Sequence, residues 1–269
     1  MEIPKPATHS SLDIFSKPEV LVTFDNSFEQ ETLPITSNDA PVFEFVLTTD
    51  RNIYLDLQSV ELKVEAKIGK GANGLTDLET EIAGGDTVPI AADRVSFINN
   101  TLHSFFSNCD ILINNEIIHT SNNLYAQRAF VETELSHTQG CATTKLVTQG
   151  YNFEETTGDL QEERQTWTQG SVLKTFYGKL AVDFLACDQL LIPNCSMRIR
   201  LTRNKPEFFL QTAVANPAFT PKIEKISLFA RYYTVAENYH VNLQRSLLKW
   251  PARYNYFEVR NKTFVIPQG

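Results

Sequence analysis

Residues 53–68 read IYLDLQSVELKVEAKI. From Val60 the residues alternate. Val60, Leu62, Val64, Ala66 and Ile68 are apolar, and Glu61, Lys63, Glu65 and Lys67 between them are charged. A period of two places all the apolar side chains on one side of an extended chain, so this is a β-strand with one buried face and one wet face. Residues 222–235, KIEKISLFARYYTV, repeat the device: Ile226, Leu228, Ala230 and Tyr232 share a face. Shorter apolar runs at 41–47, 172–185, 197–203 and 207–215 read as further strands. Punctuation by Gly and Pro separates them, and residues 69–92 read as a long loop rich in Gly and Asp.

Between the strands lies one richer stretch. In residues 102–120, LHSFFSNCDILINNEIIHT, two isoleucine-rich runs flank Asn114 and Asn115. Asparagine tolerates positive φ, which a two-residue hairpin turn demands, so Asn114 and Asn115 are the candidate turn. Residues 121–136 follow with a helical stripe of Leu124, Ala126, Ala129, Phe130 and Leu135, capped by Ser121, Asn122 or Asn123. A second helical spacing, Tyr239, Leu243, Leu247 and Trp250, ends at Pro251. Eight or nine strands, two short helices and no βαβ rhythm give an all-β chain, an antiparallel sandwich or jelly roll. Residues 1–40, with four prolines and apolar clusters at 12–15 and 20–24, read as an arm; 41–251 as the jelly-roll domain; 252–269 as a linker entering another strand.

The 269 residues suffice for a sizeable core, and a net charge of −8 argues against a basic nucleic-acid surface over the whole molecule. No apolar run approaches the ~20 residues that span a bilayer, and residues 1–15 have no apolar secretory segment. The four cysteines, at 109, 141, 187 and 195, are widely spaced and read as free thiols. The five histidines are scattered, with no paired motif for a metal; His103, beside two phenylalanines, reads as a packed side chain. Asp56 and Asp183 sit in apolar surroundings, but alternation assigns them to wet strand faces rather than to a catalytic pair. Arg198, Arg200 and Lys205 form a basic strand face, and GKGANG at 69–74 lacks the order of a phosphate loop. No catalytic, cofactor or metal residue is indicated; the expectation is a non-enzyme that assembles or binds. Its 18 phenylalanines suit burial between sheets or at subunit contacts.

Four stretches together resemble one family. They are LDIFSKPEV (12–20), the strand pair at 40–68, the hairpin and helix at 99–135, and LKWPARYNYFEVRNKTFVIPQG (248–269). In that order they are similar to the major capsid protein of Polinton/Maverick elements, adintoviruses and virophages. The resemblance implies a double jelly roll, of which this chain is the first half. Residues 252–269 then enter the second roll, and Trp250, Pro251, Tyr254, Tyr256 and Phe264 mark the junction. It implies a homotrimer of the full-length chain that builds an icosahedral lattice with a minor capsid or penton protein. It also implies a virion location after assembly inside the host cell, and neither specific nucleic acid nor membrane insertion. A chain ending near this point is expected to associate weakly, and ending it after Pro251 is expected to leave the fold intact. The competing reading is a carbohydrate- or receptor-binding jelly roll presenting Tyr151, Phe153 and Trp167 on exposed loops.

Overall fold

In the computed structural model, residues 24–71, 73–152, 159–214 and 218–263 are described. The strands are β1 (Phe24–Thr32), β2 (Val42–Thr48), β3 (Ile53–Leu55), β4 (Glu61–Lys70), β5 (Thr80–Ala83), β6 (Asp86–Pro89), β7 (Val95–Phe97), β8 (Phe106–Ile113), β9 (Glu116–Thr120), β10 (Lys174–Lys179), β11 (Ser196–Arg203), β12 (Leu210–Thr212) and β13 (Phe219–Val235). Short helices interrupt them: α1 (Thr101–Ser104), α2 (Tyr125–Ser136), α3 (Gln139–Ala142), α4 (Asp159–Thr168), α5 (Pro206–Phe209) and α6 (Glu237–Leu247).

Two sheets carry the architecture. One runs β1-β13-β4-β10, with β3 also on β13; the other runs β2-β11-β8-β9. Every pairing in them is antiparallel. Taking the eight main strands in chain order, the first pairs with the last (β1·β13) and the second with the seventh (β2·β11). The third pairs with the sixth (β4·β10) and the fourth with the fifth (β8·β9). That is one long hairpin wound around a barrel, the jelly-roll connection.

Alternation explains the core. Leu62, Val64, Ala66 and Ile68 of β4 are buried, as are Ile226, Leu228 and Ala230 of β13 beside them. Phe43, Phe45 and Leu47 of β2, Ile111 of β8, and Met197, Ile199 and Leu201 of β11 close over them from the other sheet. At one end Phe105 lies 5.3 Å from Phe97, 5.7 Å from Phe176 and 5.2 Å from Phe209, each tilted edge-to-face. Edge-to-face contact sets the positive ring edge on the negative face of the next ring, which is why a phenylalanine-rich core packs this way.

Three expectations are corrected. The sheet begins at Phe24, not at residue 41, because β1 pairs along β13 from Val235 to Leu228; its polar composition, FDNSFEQET, hid an edge strand that leaves both faces wet. The loop at 69–92 contains the β5–β6 hairpin, turned by Gly84 and Gly85 at φ 65° and 100°. The helices are more numerous than two, because the polar segment 137–170 folds into α3, α4 and short 3-10 turns. Residues 1–23 and 264–269, and with them part of the expected arm, Phe264 and Ile266, lie outside the described residues; so does Phe153.

Candidate assembly surfaces

The β8–β9 hairpin turns at Asn114 (φ 51°) and Asn115 (φ 71°). The Asn114 side chain also accepts the Ser196 N–H at 3.0 Å, so the turn is fastened to β11. From β9 the chain passes into α2, whose buried residues are Tyr125, Ala126, Arg128, Ala129 and Thr133. The inward stripe is rotated from the sequence expectation: Phe130 and Leu135 are exposed. No Ser or Asn side chain caps this helix.

Beyond α6 the chain runs extended across the roll. Tyr254 donates to the Leu190 carbonyl (3.1 Å) and accepts the Ile192 N–H (3.0 Å). The Tyr256 ring packs edge-to-face on buried Phe184 at 5.5 Å. The Val259 N–H donates to Asp183 at 2.7 Å, and His119 of β9 bonds Glu258 at 3.2 Å. Thus Tyr254, Tyr256 and Glu258 turn inward while Phe257, at 96 %, and Val259 are exposed. Trp250 is also exposed, at 71 %, and Pro251 with it. Helix α6 therefore does not pack by Trp250. Its buried residue is His240, which meets the Tyr54 hydroxyl at 3.0 Å, while Leu243 and Leu247 are half-buried.

Under this extended segment sits a polar cluster that no sequence motif predicts. Arg128 of α2 donates to Asp183 at 2.5 Å, and His119 bonds Ser121 on its other nitrogen. Burial, and then the Arg128 charge, hold His119 below the usual histidine pKa; Arg260, bonded to Glu258, holds that carboxyl below its usual range. Four separate segments bring these groups together, so no local motif announces them.

The residues with a possible chemical role are structural. Asp56 caps a 3-10 turn by accepting the Gln58 N–H, and Asp183 opens another such turn; neither lies on a strand. A 560 Å³ cavity has Glu61, Glu132 and Asp183 in its wall. Glu61 receives the Tyr177 hydroxyl, Glu132 lies 3.8 Å from Arg128, and Asp183 is held as above. Each of the three carboxylates is thus engaged by a neighbouring side chain. Buried His103 bonds Tyr125 and Gln149, and burial pushes its pKa down to about 4. Arg198 and Arg200 both pair with Glu44 of β2, which offsets one of their two charges. All four cysteines are free thiols. Tyr151 is buried and bonded to Glu134, and Trp167 is half-buried, so neither forms an open platform for a sugar.

No family model matches this sequence, and no curated protein does. Solved structures do. A chain of the Sputnik virophage, determined by cryo-electron microscopy at 3.5 Å, superposes with a TM-score of 0.56 at 11 % identity, over 88 % of this chain and 54 % of that one. The Faustovirus major capsid protein superposes with a TM-score of 0.51 at 10 % identity, over 87 % and 58 %. The fold is a viral-capsid jelly roll. The chain spans a little over half the length of these two structures. Among the described residues no helix is long and apolar enough to cross a membrane, and no three His, Cys, Asp or Glu residues group as a metal site.

Proposed function

We propose that this chain is a structural unit of a virus shell, the first jelly roll of a double jelly-roll major capsid protein of the Polinton, adintovirus and virophage kind. The observation that carries the reading is the superposition on the Sputnik chain over 88 % of the length, on a roll whose residues are spent on packing. Its role is mechanical: stiff sheets, and side surfaces broad enough for stable contact. In this reading residues 252–269 join the first roll to a second. Trp250, Phe257 and Val259, exposed here, become covered by that neighbour. Three such chains form a pseudo-hexagonal capsomer, capsomers tile an icosahedral lattice with a minor capsid or penton protein, and assembly takes place inside the host cell.

The test is to read the genomic frame downstream of Gly269, express whatever protein it encodes together with residues 1–269, and weigh the product by mass photometry. A trimer from the longer protein, with residues 1–269 alone remaining monomeric or weakly associated, supports the reading. A frame that continues without β-rich sequence, or a long product that stays monomeric, overturns it.

A further inference from the structure

The four outer edges of the two sheets are not alike. Edge strands present unpaired N–H and C=O groups to any passing chain, and folded proteins guard them by shortness, lysines, prolines or cover. Edge strand β2 is covered in part, since the Ile35 N–H donates to its Glu44 carbonyl at 2.8 Å. Edge strand β9 is five residues long and β10 has a lysine at each end. Among the described residues, edge strand β1 is guarded only at its start, where the register shifts between Phe24 and Asn26 and the Asn26 side chain accepts the Ser27 N–H at 2.8 Å. It runs nine residues, FDNSFEQET, with neither Lys nor Pro. Among the described residues no backbone group pairs with its outer side.

The side chains of β1 specify what would fit. Phe28 stacks on Tyr232 at 5.5 Å and Phe24 meets Tyr233 at 4.8 Å, yet each ring stays more than a third exposed. The register shift between Phe24 and Asn26 sets the two rings on opposite faces, since Tyr232 and Tyr233 are consecutive in β13. Glu29 and Glu31 lie on the face opposite Phe28, where Glu31 meets Lys225 of β13 at 2.7 Å. A carboxylate has acceptor capacity left for a second cation on its other side. A second copy of β1 fits poorly in the antiparallel register centred on Phe28, which overlaps the whole strand: it sets Asp25 opposite Glu31 twice, and like charges opposite each other destabilise a ladder.

We propose that β1 is a docking edge for an extended segment of another polypeptide. That segment adds a strand to the sheet, setting Lys or Arg beside Glu29 and Glu31 on one face and apolar side chains beside Phe28 on the other. The inference does not depend on the capsid reading.

The experiment uses the full 269-residue chain and three labelled nine-residue peptides. One alternates Lys with Val, one alternates Glu with Val, and one is the lysine peptide with two valines replaced by Pro. Fluorescence anisotropy reads binding; amide hydrogen exchange reads its place. The expected result is that the lysine peptide binds and slows exchange within 24–32, while the other two bind about tenfold more weakly or not at all. Glu29→Lys with Glu31→Lys reverses the preference towards the glutamate peptide. Ser27→Lys, which leaves the Glu31–Lys225 pair intact, weakens the lysine peptide alone. Equal binding of the lysine and proline peptides, protection elsewhere than 24–32, or no binding overturns the proposal. A dimer that Gln30→Lys dissolves also overturns it, in favour of a second copy on this edge.

Discussion

Strand β4 and the segment 253–260 share one pattern and end as different structures. Both alternate. In β4 the inward residues are aliphatic, the outward ones charged, and a strand pairs on each side, β13 and β10. In 253–260 the inward residues are Tyr254, Tyr256 and Glu258, while the large apolar Phe257 faces water. No ladder forms there; side-chain hydrogen bonds and two rings on Phe184 hold the segment. Period two reports which residues share a face. It does not report whether a neighbouring strand is present, and the ladder needs the neighbour.

The contrast breaks most visibly by truncating one apolar residue on each side of it. Leu62 is fully buried, so Leu62→Ala removes transfer energy and leaves a cavity, costing about 3 kcal/mol. Phe257→Ala removes a larger side chain from water, and stability stays within about 0.5 kcal/mol. Urea unfolding of both variants checks this. Similar losses would mean that Phe257 is packed and that the extended segment is a true layer of the core.

A second difference lies between two buried histidines, one under each region. His103 belongs to the core, and burial lowers its pKa to about 4 from an ordinary 6.5. The unfolded chain therefore binds its proton more readily. The corresponding stability is intact above pH 6.5 and is lost as pH falls from 6.5 towards 4, on the order of 3 kcal/mol in all. His119, under the extended segment, is also lowered and adds in the same direction. His103→Gln is expected to flatten the fall in stability between pH 7 and pH 4, measured by urea unfolding, and His119→Gln to flatten it less. The reverse order would place the acid-sensitive contact under the extended segment rather than in the core.

Much of the roll was legible because its signal is local. Alternation in β4 and β13 marked Leu62, Val64, Leu228 and Ala230 as buried, and they are. Strand β1 was illegible because an edge strand need not hide either face, and FDNSFEQET accordingly has no period. The stripe of α2 was misplaced because Tyr125 and Arg128, both fully packed, look like surface residues until Asp183 and His103 are brought against them. The cluster of His119, Arg128, Asp183 and Glu258 had no signature at all, since its members come from positions up to 139 residues apart. The edge proposed for docking shares that fate, because whether a strand's outer side is paired is not encoded in its spacing.

The smallest expected effect concerns the extended segment as a whole. The sequence alone suggests that ending the chain after Pro251 leaves the fold untouched, since the apolar residues beyond it look destined for another domain. The contacts argue for a measurable cost. Removing 252–269 strips the Tyr254 and Tyr256 rings from Phe184, leaves the Asp183 carboxylate with Arg128 alone, and takes Glu258 from His119. Two half-buried rings and their hydrogen bonds contribute roughly 2 kcal/mol, because solvent already reaches part of each ring. In a domain of this size that is about 4–8 °C of midpoint. The truncated chain should still unfold in one cooperative transition, because the eight main strands all end before residue 236. It should also aggregate less while folded, with Phe257 and Val259 gone. Thermal unfolding of the two lengths decides between three outcomes. An unchanged midpoint means the segment is only draped on the roll. A fall of 4–8 °C means its contacts contribute to the roll without being needed for it to fold. Loss of the transition altogether means that β1 to β13 do not make a complete domain, and that the segment is part of the roll itself.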